Sequence, residues 1–244
     1  MLSFIQPNWP APKNIKAFTT TRVGGVSKIP YDSLNISTHV GDNANAVEKN
    51  RALLQQILAL PNEPVWLTQT HSTEVVQAEL AQPSVNADAA YTYQANIVCA
   101  VQTADCLPVL ICNHAATFVA AIHAGWKGLG DGIIEKTIKT LNISSNELLV
   151  WLGPAIGPNQ FEIGNDVYQL FTARDSNAKS CFKKIGTQKW LADIYALAKQ
   201  RLQSCSVNAI YGGEFCTYTD QERFFSFRRD KTTGRMASLI WIED

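Results

Sequence analysis

The 244-residue chain has no net charge, because 21 Lys and Arg balance 21 Asp and Glu. That balance removes any long-range pull toward nucleic acid or an anionic membrane, so a bound anion would have to be held by a local basic cluster. No apolar run approaches the roughly 20 residues a membrane span needs. The opening MLSFIQPNWPAPKN has neither the basic start nor the apolar stretch of a secretory signal. A cytoplasmic location is therefore expected, with no membrane and no nucleic-acid partner. The six cysteines, at 99, 106, 112, 181, 205 and 216, include no C-x-x-C pair, which excludes a Cys₄ zinc knuckle and a thioredoxin-like motif. In a reducing compartment they are not expected to form disulfides. No repeat, low-complexity tract or Pro/Gly/Ser-rich linker divides the chain, so residues 1–244 read as a single domain. Phosphate-loop signatures are missing as well: GLGDGII has Ile133 where a G-x-G-x-x-G motif requires its third glycine.

What is present is the composition of a packed core, 46% hydrophobic and 17% charged. The patterning predicts strands over 15–22, 64–70, 73–79, 97–103, 106–112, 117–123, 147–152, 207–211, 223–228 and 236–242. It predicts helices over 44–60, 129–141, 164–174 and 188–204. The last has the strongest helical period, with Trp190, Leu191, Ile194, Leu197, Ala198, Arg201 and Leu202 on one face. The runs 97–103, 106–112 and 117–123 read as adjacent strands of one sheet. Strands and helices are mixed without strict βαβ alternation, so the expected fold class is α+β, mixed β-sheets layered with helices.

Two of only four histidines, and one cysteine, stand in short segments dense in small and polar residues: His71 in TQTHS, Cys106 in TADCLPVL and His123 in AAIHAGWKG. Imidazole and thiolate suit a transition metal such as zinc, and three protein ligands leave the open position of a catalytic site. Their separations, 35 and 17 residues, match no local metal motif. Cys99 and Cys112 read as small core residues. Asp105, next to Cys106, reads as a turn cap or a group that orients a ligand. His39 and His114 are weaker candidates, His114 in a surface turn. The glycines after His123 would let backbone N–H groups approach a ligand at a helix start. Arg22, Arg51, Lys127, Arg228 and Arg229 form a basic set, and guanidinium groups hold phosphate bidentately. Asn35 could position a hydroxyl or make an Asx turn.

Taken in order, TTRVGGVS (20–27), SLNISTHVGD (33–42), AVEKNR (46–51), TQTHS, TADCLPVL, HAGWKG, GPAIGPNQFEIG (153–164) and FFSFRRDKTTGR (224–235) resemble the YfiH family over nearly the whole chain. Its members are called laccase-domain proteins, multicopper polyphenol oxidoreductases and purine nucleoside phosphorylases. The resemblance implies a single α+β sandwich domain and a metal, usually zinc, held by His71, Cys106 and His123. Copper at the same triad is the alternative ion. Lys127 stands where relatives more often have Arg, and Lys28–Pro30 where they have a Gly-containing turn.

The resemblance also implies phosphorolysis of adenosine, inosine and methylthioadenosine, with adenosine deamination at the same site, by a monomer or homodimer. The partners are then a purine nucleoside and phosphate. Arg51 and Lys127 are the expected phosphate residues, and Arg22 and Asn35 the expected substrate-positioning ones. Two rival readings stand beside it. One is a Cys- or metal-dependent amidase that edits cell-wall precursors, with Cys106 as nucleophile. The other is copper-dependent polyphenol oxidation, although four histidines are too few for a trinuclear copper cluster.

Overall fold

The computed structural model describes residues 3–244. In chain order the elements are β1 (Phe4–Ile5), β2 (Ile15–Thr20), α1 (Ala44–Leu58), β3 (Val75–Gln77), β4 (Ala89–Thr92), β5 (Cys99–Thr103), β6 (Leu107–Asn113), β7 (Val119–Ala124), α2 (Trp126–Asp131) and α3 (Ile133–Leu141). They continue with β8 (Leu148–Leu152), β9 (Glu162–Gly164), α4 (Asn165–Arg174), β10 (Phe182–Gly186), β11 (Lys189–Ala192), α5 (Ile194–Ser204), β12 (Ile210–Gly212), α6 (Phe227–Asp230) and β13 (Met236–Ile242).

The central layer is a six-stranded sheet, β12-β8-β6-β7-β4-β3, and a second, four-stranded sheet runs β1-β2-β13-β5. Strand β6 is apolar from Leu107 to Cys112 because both its faces are buried. Val109 and Ile111 face α3, α4 and α5, packing with Ile134, Phe171, Leu197 and Leu202. Leu110 and Cys112 face the second sheet, meeting Ile15, Val101 and Ile240. The far face of that second sheet, through Ala100, Leu239 and Trp241, is covered by Leu54 of α1. The order of layers is thus helix, sheet, sheet, helices, within the α+β class expected. A small third sheet, β10-β11-β9, flanks the helical side. No helix among the described residues is long and apolar enough to cross a membrane.

Several local expectations change. The three closely spaced runs do not share one sheet: β5 pairs with β13, while β6 and β7 pair with each other in the six-stranded sheet. The polar residues before Cys106 turn the chain from one sheet to the other, and Asp105 takes a left-handed φ of 91° there. Residues 64–70 make only isolated bridges, Val65 with Cys99 and Thr68 with Asn86. Residues 73–79 keep a three-residue strand before a 3₁₀ turn. The helix expected over 129–141 breaks at Gly132, whose φ is 102°.

The helix expected from 188 begins only at Ile194, where Asp193 accepts the N–H of Ala196 at 3.0 Å. Trp190 and Leu191 belong instead to β11, and their fit to the helical phase is a coincidence of spacing. The expected strand 223–228 is a turn entering α6, with Phe224 and Phe225 fully buried. Strands β4, β9 and β10 are short and were not expected. In β4 this is because Ala-rich AAYT has no alternation to read.

Candidate metal centre and substrate cavities

Strand register brings the site together. In the β6–β7 ladder Leu107 opposes Ala124 and Pro108 opposes His123. One step beyond its end, Cys106 faces Gly125, and Cys106 and His123 lie diagonally on the same face. In the β4–β7 ladder Ala89 opposes Ile122, so Asp88 stands beside His123, whose N–H donates to the Asp88 carbonyl at 2.7 Å. The Asp88 side chain is fully buried and reaches His123 Nδ1 at 2.7 Å.

The loop that carries His71 is folded around the same carboxylate. The backbone N–H groups of Thr70, His71 and Ser72 donate to Asp88 at 3.2, 3.0 and 2.7 Å, and the Ser72 hydroxyl adds a fourth bond at 2.7 Å. These bonds hold His71 at a φ of 60°, a conformation that costs a non-glycine residue about 1–3 kcal/mol and persists where its surroundings dictate it.

The donor atoms of His71, Cys106 and His123 all lie within 4.8 Å of one another. Cys106 Sγ is 3.7 Å from His71 Nε2. Nitrogen and sulfur donors sharing one tetrahedral zinc stand about 3.3–3.6 Å apart, from the usual bond lengths, so the Cys106–His71 pair already stands near that spacing and the wider pairs would draw in around an ion. Asp88 occupies Nδ1 of His123 and leaves Nε2 toward the cluster, the arrangement that fixes the tautomer of a metal-bound histidine. The residues therefore fit a three-coordinate N,N,S metal site.

The electrostatics agree. Burial alone would push the Cys106 thiol up, but the charge and hydrogen bond of His123, with those of His71, outweigh it and bring it down to about 6. Burial would push His123 down, and the Cys106 sulfur and Asp88 together raise it to about 9. Asp88 is held at about 2 against its burial, by the bonds from His123 and Ser72. Cys112, by contrast, is pushed up to about 12 by burial alone, as expected of a core thiol. Cys99 shifts upward for the same first reason.

Gly125 keeps this space open. A Cβ there would lie 2.7 Å from His71 Cδ2 and 3.1 Å from Cys106 Sγ. Its φ of −66° suits any residue, so the constraint is steric and local. Gly125→Ala is expected to leave the fold intact and to reduce bound metal to well under one equivalent, measured by elemental analysis of the purified protein. Retention of a full equivalent would show that the ion does not sit among these three side chains.

Two cavities meet at the triad. The larger, about 350 Å³, carries the polar side chains of His39, Gln69, Gln102 and Arg235 among apolar ones such as Leu67 and Phe227. The smaller, about 230 Å³, is lined by Trp126, Phe161, Ile156, Ile194 and Arg228. His71, Cys106 and Phe227 border both. Asp105 shapes this boundary rather than orienting a triad ligand. Its carboxylate accepts the Thr217 and Ser226 hydroxyls at 2.6 and 3.0 Å and the Arg228 N–H at 2.6 Å, which fixes the turn that presents Phe227 and Arg228.

None of Arg22, Asn35, Arg51 and Lys127 lines either cavity. Arg22 donates to the carbonyls of Asp32 and Gln221 and stacks on Phe225. Arg51 donates to the Ile36 carbonyl at 2.9 Å and lies over Trp66. Lys127 is exposed and pairs with Asp131 at 2.9 Å. Asn35 is buried, and its Oδ1 accepts the N–H groups of Ser37 and Arg235. Through that second bond it supports a residue that does line the cavity.

Asp88, Gln69, Gln102, Trp126 and Arg235 were not singled out by the sequence. Asp88 had one legible signal, an acid inside the small-residue run ADAA, where a charge is buried only with partners. His39 lines the larger cavity, while His114 is an exposed turn residue.

The family model for multi-copper polyphenol oxidoreductase laccase matches residues 16–243. The chain is 52% identical over 244 residues to Purine nucleoside phosphorylase YfiH of Escherichia coli (strain K12), covering 99% of this chain and 100% of that one. It is 51% identical over 241 residues to a Purine nucleoside phosphorylase of Haemophilus influenzae, covering 98% and 99% of the two chains. Among solved structures, the Neisseria meningitidis protein NMB0706 superposes with a TM-score of 0.95 at 48% identity, over 99% of both chains. YlmD from Geobacillus stearothermophilus gives 0.91 at 28% identity, over 99% of this chain and 96% of that one.

Proposed function

The chain belongs to the multi-copper polyphenol oxidoreductase laccase family, and from that membership and its relatives' names we propose that it is a metal-dependent purine nucleoside phosphorylase. Its substrates are adenosine, inosine and methylthioadenosine, and it deaminates adenosine at the same site. The observation that carries this reading is the meeting of two chemically different cavities at the His71–Cys106 edge. Phosphorolysis needs a purine, a ribose and a phosphate to converge on one carbon. The smaller cavity offers Trp126, Phe161 and Phe227 to the faces of a purine. The larger offers Arg235 to phosphate.

Zinc at the triad supplies Lewis acidity at its open position when bound. The remaining work falls to the protein's own groups. Arg235 uses Nη1 on the carbonyls of Thr233 and Gly234, both at 3.0 Å, which fixes the direction of its guanidinium. Burial lowers its pKa, the effect of placing a cation where little solvent reaches it, and an incoming phosphate would supply counter-charge. Asn35 positions Arg235 from behind. Arg228, over Phe161 and bonded to the Glu162 carbonyl, closes the purine side.

The direct test is incubation of the purified protein with adenosine, with and without phosphate, followed by chromatography. Adenine is expected only with phosphate, and inosine in either case. Formation of neither product would end the nucleoside reading. Within it, Arg235→Leu is expected to raise the KM for phosphate about 10–100-fold, with a much smaller change in the KM for nucleoside. Equal changes in both would remove Arg235 from the phosphate site.

One observation favours a second reading. A thiol lowered to about 6 and 3.7 Å from an imidazole is also the pair of a cysteine hydrolase acting on amides. Chelation separates the two, since the hydrolase keeps its activity when metal is removed and the phosphorylase loses it. Elemental analysis of protein purified without added metal tests the ion. Zinc is expected, and stoichiometric copper would favour the oxidase reading instead.

A further inference from the structure

Gln102 has no part in the reading above, and its surroundings give it one. Along β5, Val101 packs between the two sheets and Ala100 faces the α1 layer. Two residues on from Ala100, Gln102 takes the same face, where the layer gives way to the cavity wall formed by Ser37 and His39. It is 8% exposed. Both of its backbone groups are held by the side-chain amide of Gln69, which donates to the Gln102 carbonyl at 2.8 Å and accepts its N–H at 2.7 Å.

The side-chain amide of Gln102, in contrast, makes no hydrogen bond among the described residues, and neither of its polar atoms is among the sealed, unpartnered ones. The residue is thus nine-tenths buried, and its unpaired amide, a donor and an acceptor in one plane, is not sealed off from the triad's cavity that the residue helps to line. An amide left without a protein partner on a cavity wall is available to a ligand.

The chemistry of the amide narrows the choice. Phosphate accepts hydrogen bonds and would meet the amide oxygen with repulsion, and Arg235 in the same cavity already suits it. The purine ring has the aromatic cavity on the other side of Phe227. A vicinal diol matches: each hydroxyl both donates and accepts, so one can give to Oε1 while its neighbour receives from Nε2.

We propose that Gln102 binds the 2′- and 3′-hydroxyls of the nucleoside's ribose and so selects ribonucleosides over deoxyribonucleosides, an inference that rests on the phosphorolysis reading. Gln69 is its positioning residue. A site built to hydrogen-bond a hydroxyl rejects the analogue that lacks it more strongly than an apolar pocket rejects an extra group.

The test compares kcat/KM for adenosine, 2′-deoxyadenosine, 3′-deoxyadenosine and purine riboside in the wild type and in Gln102→Leu. The wild type is expected to favour adenosine over both deoxy forms by about 10–100-fold. In Gln102→Leu that preference should fall to within about threefold, with the KM for phosphate and the melting temperature unmoved. A preference that survives in Gln102→Leu overturns the proposal. So does a variant that instead loses the preference for adenosine over purine riboside, since the amide would then read the purine edge.

Calorimetric binding of inosine and 2′-deoxyinosine without phosphate separates this inference from the reaction, since inosine is neither phosphorolysed nor deaminated there. If the wild type binds inosine more tightly than 2′-deoxyinosine, Gln102→Leu does not discriminate, and added phosphate yields no hypoxanthine, ribose recognition stands and the phosphorylase reading fails. Absence of inosine binding in the wild type overturns both.

Discussion

Cys106→Ala is expected to purify without metal and to lose at least about 100-fold in kcat/KM for adenosine phosphorolysis, while unfolding within a few degrees of the wild type. The two halves of this result have separate causes. A metal site reduced from three protein ligands to two loses its only soft, anionic donor, and charge stabilisation at a reacting centre is typically worth two to three powers of ten in rate. The fold, however, does not depend on this sulfur. Cys106 is only half-buried and sits one residue before β6, whose own core contacts begin at Leu107. Elemental analysis, steady-state kinetics and calorimetry on the same preparation check all three statements. Full metal occupancy in Cys106→Ala would remove the thiolate from the donor set. Unchanged activity would remove the triad from the reaction.

Asp88→Ala should do more damage, to stability as well as to metal binding. Its carboxylate accepts bonds from Thr70, His71, Ser72 and His123 and is fully buried. Its loss strands several donors and leaves the His71 loop without the contact that holds its backbone. Removing one partner of such a buried ionic network costs about 3–5 kcal/mol, readable as a shift in the urea midpoint of metal-free protein. Asp88→Asn keeps the volume but offers one acceptor oxygen instead of two, so it should fold and bind metal about 10–100-fold more weakly.

The two forms should also differ in acid. The Asp88 pKa is depressed from 3.8 to about 2 on folding. Its contribution is therefore fully present above pH 3.8 and is lost as pH falls through about 2. Asp88→Asn has no such group, and its stability should fall less steeply across that window. Equal slopes in urea titrations of metal-free protein would contradict the shift.

The triad illustrates which features a sequence can carry. His71, Cys106 and His123 were recognisable as residue types in unusual settings, but their separations, 35 and 17 residues, spell no motif, because strand register and the loop folded on Asp88 are what join them. Only the β6–β7 and β4–β7 pairings show that positions 88, 106 and 123 end side by side. Asp88 escaped because its importance lies in the groups folded around it. Arg235 was legible only as part of a resembling segment, since its place in the cavity depends on Asn35, 200 positions away.

The fold fared similarly. Strand β6 was readable because burial on both faces leaves an unbroken apolar run. The start of α5 was not, because Trp190 and Leu191 of β11 fall in phase with the helix that follows. Arg22 and Arg51 looked like anion ligands by type, yet both donate to backbone carbonyls and lie against aromatic rings. Side-chain type alone does not separate those two uses of a guanidinium.

The single carboxylate shared by both halves of the centre also sets its total charge. With Cys106 as thiolate and Asp88 ionised, the group carries two negative charges, and a proton on His123 cancels only one. A divalent ion held by His71, Cys106 and His123 would take the place of that proton and bring the ensemble to neutrality, whereas a monovalent ion would leave one negative charge beside the buried Asp88 and His123. Valence, as much as donor softness, is then a basis on which this protein can choose its metal.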